Sequence, residues 1–168
     1  MHETSEDLAV LQDLLDRSYA GAGEHLKSIL LPEKRLSAEQ LSEMMTGMQL
    51  LTLATVNAAG EPRVGAVDGH FHRGAWHFGS SHESVRFRHL RARPAVSAAH
   101  VRGEELTVVV HGRAVELDLA DPAQEPFLRQ LADFYGGDWV DWGKGAAYAR
   151  IEASTMFAAY LPLSGPST

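Results

Sequence analysis

The 168-residue sequence contains no cysteine, which excludes disulfides, thiolate metal sites and cysteine nucleophiles. It has no unbroken apolar run of the length that a membrane span requires. A secretory signal needs a basic start and an apolar stretch, whereas this chain opens Met1-His2-Glu3-Thr4-Ser5-Glu6-Asp7. A cytoplasmic protein is the expectation. Internal repeats and low-complexity tracts are absent, as is any Gly-x-Ser-x-Gly elbow, so Ser80, Ser81 and Ser84 beside His82 do not read as a hydrolase nucleophile. Positive charge is scarce: 15 Lys and Arg against 22 Asp and Glu give a formal net charge of -7. Such a field repels polyanions, so broad nucleic-acid binding is not expected.

What is present fits one domain with a sizeable core, since 45% of residues are hydrophobic and 22% charged. Apolar residues recur at helical spacing from Leu8 to Leu15, with Thr4 or Ser5 as cap, and predict an amphipathic helix over residues 8–19 that packs on the rest of the chain or on a second subunit. Ser37-Ala-Glu-Gln40 has capping-box spacing and predicts a second helix carrying Leu41, Met44, Met45 and Met48. Residues 49–57, 63–72 and 75–79 are rich in strand formers and are separated by turn chemistry at 58–62 and at Arg73-Gly74. Further strands are predicted over 95–102 and 106–117, with a bulge at Gly112, a helix over 121–135 that Gly136-Gly137 ends, and the last strand or strands over 146–153 and 156–161. Residues 164–168 read as a frayed tail. The order of elements implies an antiparallel barrel with helices on its outside.

The chain is organised around residues 76–96. An aromatic strand ends at Gly79, the hydroxyl residues Ser80, Ser81 and Ser84 follow, and a short basic helix then runs to Pro94. Free N–H groups at a helix start, hydroxyl donors and the fork of Arg86 in the first turn together make a phosphate site. The local cluster Arg86, Arg88, Arg91 and Arg93 could hold one small anionic ligand, the alternative being a basic run that coats a solvated face. Nine histidines raise the question of a metal, with His70, His72 and His77 converging across a hairpin. No carboxylate-bearing ligand set or second shell can be read beside them, so no metal is assigned.

Three stretches, Leu53-Ala-Thr-Val-Asn-Ala-Ala-Gly-Glu-Pro62, Phe78-Gly-Ser-Ser with the run from Ser84 to Val96, and Val109-Val-His-Gly-Arg-Ala-Val115, occur in the order and spacing of a known group. Over roughly residues 50–117 the chain resembles the flavin-binding split β-barrel superfamily, which includes pyridoxamine 5'-phosphate oxidase and the flavin- and deazaflavin-dependent oxidoreductases. The resemblance implies a mainly β fold with flanking helices, an antiparallel split β-barrel of the FMN-binding type over residues 49–163 behind a helical extension over 1–48. It implies a homodimer with the cofactor at the interface, and hydride transfer through bound FMN to a small-molecule substrate. Deazaflavin coenzyme F-420 is the alternative cofactor, with Arg88, Arg91 and Arg93 suited to its acidic tail. A flavin-, deazaflavin- or haem-binding protein without turnover is the alternative function.

Carried over position by position, the resemblance places the cofactor phosphate at Arg86, where the family pattern has a lysine eight residues before the proline, with Ser80, Ser81 and Ser84 beside it. The neighbouring basic position of the oxidase is Val85 here. It sets Gly65, Ala66, Val67, Asp68 and His70 along the edge of the isoalloxazine ring, Thr107 as a contact lent across the dimer, and Trp139 and Trp142 over the ring or in the interface. Tyr148-Ala-Arg-Ile-Glu-Ala-Ser-Thr-Met-Phe lacks the substrate-gripping motif of a true pyridoxamine phosphate oxidase, so vitamin B6 oxidation is not expected. No catalytic side chain is assigned, and His111 and Tyr148 are the expected proton donors near the barrel mouth.

Overall fold

Alternation of inward apolar and outward polar or small residues builds the wall of a barrel. In β1 (Met48–Val56), Leu51, Leu53 and Thr55 are buried while Leu50 and Thr52 face outward. The other strands are β2 (Pro62–His72), β3 (Ala75–Ser81), β4 (Ala95–Arg102), β5 (Leu106–Glu116) and β6 (Ala146–Tyr160), and the barrel closes in the order β1-β2-β3-β6-β5-β4 with every pairing antiparallel. This computed structural model describes residues 2–136 and 145–162. Trp139, Trp142 and the tail at 164–168 lie outside the described residues.

Helices α1 (Ser5–Ala20), α2 (Glu24–Ile29) and α3 (Ala38–Met44) precede the barrel, α4 (Val85–Ala92) follows β3 and α5 (Glu125–Tyr135) precedes β6. Thr4 and Ser37 form full capping boxes with Asp7 and Gln40. The methionine spacing predicts helix through Met48, but Gly47 takes φ 71° and turns the chain, so Met48 begins β1 instead. Helix α2 and a 3-10 turn at Pro32–Lys34 lead from α1 to α3.

Helix α1 supports the far half of β6, which has β5 as its only strand neighbour there. The other edge of that half is met by side chains and by the backbone before α3: Met156 N–H donates to Ser18 Oγ (3.0 Å), Ala158 N–H donates to the Tyr19 hydroxyl (3.0 Å), that hydroxyl donates to Ala158 C=O (2.6 Å), and Leu36 N–H donates to the same carbonyl (3.0 Å). Leu11, Leu15 and Tyr19 are buried in one continuous core with the barrel residues Leu51, Phe78 and Ile151. Burying each leucine contributes about 2 kcal/mol, so the helix is held by packing and the edge bonds set its register.

The barrel is split on one side. Strand β2 pairs with β1 from Val56↔Pro62 to Met48↔His70, yet pairs with β3 only from Gly69 to His72. Beyond Phe78, β3 pairs with β6 alone. Residues 62–68 of β2 and 79–81 of β3 therefore part, each with one unpaired backbone edge facing a groove. At the opposite wall, the register of β5 on β6 shifts between His111 and Gly112, the bulge anticipated from the glycine.

Candidate functional site

Helix α4 is oriented by Phe87 and Leu90, which are buried in the core, and by Ser84, whose hydroxyl accepts from Phe87 N–H (3.3 Å). That orientation swings Arg86 across the split. Its Nη1 donates to Ser80 Oγ on β3 (3.3 Å) and its Nη2 to Ala66 C=O on β2 (3.2 Å). Gly65 is needed for space, because a Cβ there would stand 2.8 Å from Nη2. The guanidinium is half-buried, burial lowers its pKa from the usual arginine value, and no carboxylate pairs with it among the described residues.

A cavity of about 280 Å³ opens beside this arginine, lined by Thr55, Asn57, Arg63, Gly65, Arg86 and His89. His89 Nδ1 lies 3.1 Å from Thr55 Oγ1, and Arg63 is shared with Glu61 at 2.6 Å. This end of the groove is rich in donors and carries a fixed cation with no anionic partner among the described residues, which is the chemistry that holds a phosphate monoester. A flavin phosphate fits these residues, and the unpaired β2 edge offers backbone groups to a ring.

The other end is different in kind. A cavity of about 620 Å³ is lined by Asp68, Ser80, Ser81, Tyr135, Ala146 and Tyr148, among others. The Tyr148 ring lies against Gly79, where a Cβ would come within 2.7 Å of it. The Tyr135 hydroxyl is 3.4 Å from Asp68 Oδ2 and 3.1 Å from His70 Nε2. Burial, then the Asp68 charge, raises the pKa of both phenols, so both are neutral near pH 7.

Behind Tyr135, helix α5 covers the outer face of the β2–β3 hairpin with Phe127. Its ring centroid is 6.4 Å from that of His70, 5.5 Å from His72 and 4.5 Å from His77. His72 Nδ1 donates to Gln130 Oε1 (2.6 Å), and His77 Nδ1 donates to Ala75 C=O (3.2 Å). Desolvation depresses all three imidazoles, His70 to about 4 and His77 to about 3. They are neutral wall residues around a phenylalanine, and the described residues contain no group of three metal-ligating side chains.

The structure thus brings Gly65, Ala66, Ser80 and Arg86 into direct contact and places Asp68 and Ser81 on the adjoining cavity. Val67 points into the barrel and offers only backbone to the groove. His70 is sealed behind Tyr135, and the Ser84 hydroxyl is used as a helix cap. Thr107 pairs with Val101 and Ala159 on β5 and does not line the groove of its own chain. Arg91 is bound by Glu116 through two 2.7 Å bonds and Arg93 donates to Val56 C=O, so neither lines the anion cavity. His111 bonds Ser97 on the outer face of β5, which leaves Tyr148 as the one expected proton donor that reaches the groove. Tyr135, His89, Arg63 and Asn57 also line these cavities, and sequence reasoning missed them. Only the Asn-Ala-Ala-Gly-Glu-Pro turn pointed to any of them.

No family model and no curated protein matches the sequence. Solved structures do match in shape. A conserved hypothetical protein of Mycobacterium tuberculosis is 19% identical with TM-score 0.64, covering 78% of this chain and 89% of its own. The haem storage protein HutZ of Vibrio cholerae is 18% identical with TM-score 0.60 over 77% of this chain and 94% of its own. An FAD-binding protein of Mesorhizobium loti is 21% identical with TM-score 0.56 over 74% and 93%. These likenesses establish the fold, the split β-barrel of the pyridoxamine 5'-phosphate oxidase-like proteins, which is the fold implied by the three matching sequence stretches.

Proposed function

We propose that this protein binds a flavin-type cofactor, FMN in the first instance, in the groove between β2 and β3 and works as an oxidoreductase on a small molecule. The observation that carries this reading is Arg86, half-buried, bonded to both lips of the split and lacking any anionic partner among the described residues. Gly65, Ser80 and Arg86 would hold the phosphate, and the free edge of β2 would hold the ring. When bound, the flavin supplies hydride transfer. The chain's own part is to orient the ring, to exclude water, and to keep the Tyr135 and Tyr148 hydroxyls protonated at the cavity wall.

The protein acts as a homodimer in this reading. Leu50, Val64 and Val101 are 60%, 68% and 58% exposed on the adjoining strands β1, β2 and β4, an apolar outer face that a second copy would cover. Thr107 is paired with Val101, so it would lie in that interface and reach the partner's groove. The fold is shared with a haem storage protein, so the first measurement is a spectrum. Titration with FMN should saturate, a reduced nicotinamide or reduced deazaflavin should bleach the bound flavin, and sedimentation should give twice the 18.3 kDa chain mass. A Soret band in the purified protein with no flavin binding would replace this reading with haem binding. A bound flavin that no donor reduces would leave a carrier.

A further inference from the structure

We propose that the cavity of about 620 Å³ at the Asp68 end is a subsite for a ligand bearing a protonated, N–H-carrying amine, with Asp68 as its counter-ion. The inference concerns the Asp68 end of the groove and does not depend on which cofactor the Arg86 end holds.

Two polar groups face this cavity with capacity to accept further hydrogen bonds, the exposed Asp68 carboxylate and the Tyr148 hydroxyl. The Asp68 carboxylate has one hydrogen-bond donor, the Tyr135 hydroxyl at 3.4 Å, and no ion pair among the described residues. Arg86, the cation across the groove, is directed to Ser80 and Ala66 instead. Tyr148 is only 5% exposed and lines the cavity, yet its hydroxyl has no hydrogen-bond partner among the described residues. Its ring is buried while its oxygen opens to the cavity, since it is not one of the sealed unpaired polar atoms. The ring cannot swing away to seek a partner, because it is held between the Gly79 backbone and Phe127, whose centroid is 5.6 Å away. The one basic side chain on the lining, His82, is engaged at its Nδ1 by Glu83 (3.3 Å).

These two vacant positions select a ligand class. An anion would meet the uncompensated Asp68 charge. A quaternary ammonium would answer the charge and could rest on the tyrosine faces, but it would leave the carboxylate and the Tyr148 oxygen without a hydrogen to accept. A protonated amine answers both, with one N–H to Asp68 and another to Tyr148, and the cavity leaves room for a carbon body behind it.

The test is an NMR titration of the full-length, cofactor-free protein at pH 7.5 with benzylamine, benzyltrimethylammonium and benzoate. Benzylamine should give saturable shifts, weakened at least ~10-fold by Asp68→Asn, the loss of a charge-assisted bond. Tyr148→Phe should weaken it a few-fold, and benzoate should not saturate. Benzoate binding as tightly as benzylamine, an unchanged affinity in Asp68→Asn, or no saturable shift with benzylamine would each overturn the proposal. Equal binding of benzyltrimethylammonium would overturn the requirement for an N–H. Because the protein is free of cofactor, failure of flavin binding leaves all these outcomes readable.

Discussion

The two ends of the β2–β3 hairpin use similar polar residues in opposite ways. Under α5, where the strands are paired, His70, His72 and His77 are buried, neutral and packed around one phenylalanine. Where the strands part, the side chains of Arg86 and Asp68 face open space, with no ion pair among the described residues. The difference lies in what covers the strands. A helix laid over paired strands removes water and forces titratable groups into their uncharged forms, while an open edge retains water and allows charge to wait for a ligand.

The sharpest way to break the closed end is Phe127→Ala. Phe127 is 1% exposed and is the hub on which the three imidazoles and Tyr148 converge. Losing it should cost about 3–5 kcal/mol of folding stability, measured by urea denaturation. A loss under 1 kcal/mol would mean that α5 is not docked as described.

Acid should separate the two ends next. An imidazole whose folded pKa is depressed binds protons more readily when unfolded, so its stabilisation is complete above about 6.5 and is lost as pH falls towards the folded value. For His70 that window runs from 6.5 to about 4, and for His77 from 6.5 to about 3. His70 alone should withdraw about 3 kcal/mol across its window. The charges that face these rings have mixed signs: Asp68 opposes the shift of His70, and Glu3 opposes while His2 and Arg73 reinforce that of His72. His72, Arg150 and His70 reinforce that of His77. Desolvation therefore decides the direction. Stability that stays flat from pH 7 to pH 4.5 would contradict a neutral, desolvated wall.

Much of the barrel was legible because burial on one face writes alternation into a strand, as in Leu51, Leu53 and Thr55 of β1. The bulge at Gly112 was legible for a similar reason, since few other residues serve there. Ser80 and Ser81 read as loop because serines after a glycine look like turn chemistry. They are strand because Ala147 and Ala146 on β6 lie opposite them, 60 or more residues away in sequence. The Asp68–Tyr135–His70 chain was invisible for the same cause: Tyr135 reads as the last residue of an amphipathic helix until the fold brings it to β2. The place of Arg86 beside the serines was readable, since it follows from a local strand-loop-helix pattern. Arg91 and Arg93 were not separable from it, because their partners Glu116 and Val56 are distant in sequence.

The final contrast lies within the basic helix and tests the open end with the smallest disturbance. Arg86→Ala removes a half-buried cation whose bonds go to Ser80 and Ala66 rather than to the core, so folding should be little changed while FMN binding weakens. A charge-assisted phosphate contact contributes about 1.5–3 kcal/mol, which is roughly 10- to 100-fold in dissociation constant. Arg88 lies two residues on, is exposed, and lines neither cavity of the groove. Its removal subtracts the same formal charge, but only through solvent, where salt screens it. Arg88→Ala should therefore shift FMN affinity by less than about twofold at physiological ionic strength. Isothermal titration of both variants separates a built phosphate site from a diffuse basic surface, and equal losses at the two positions would remove Arg86 from the site.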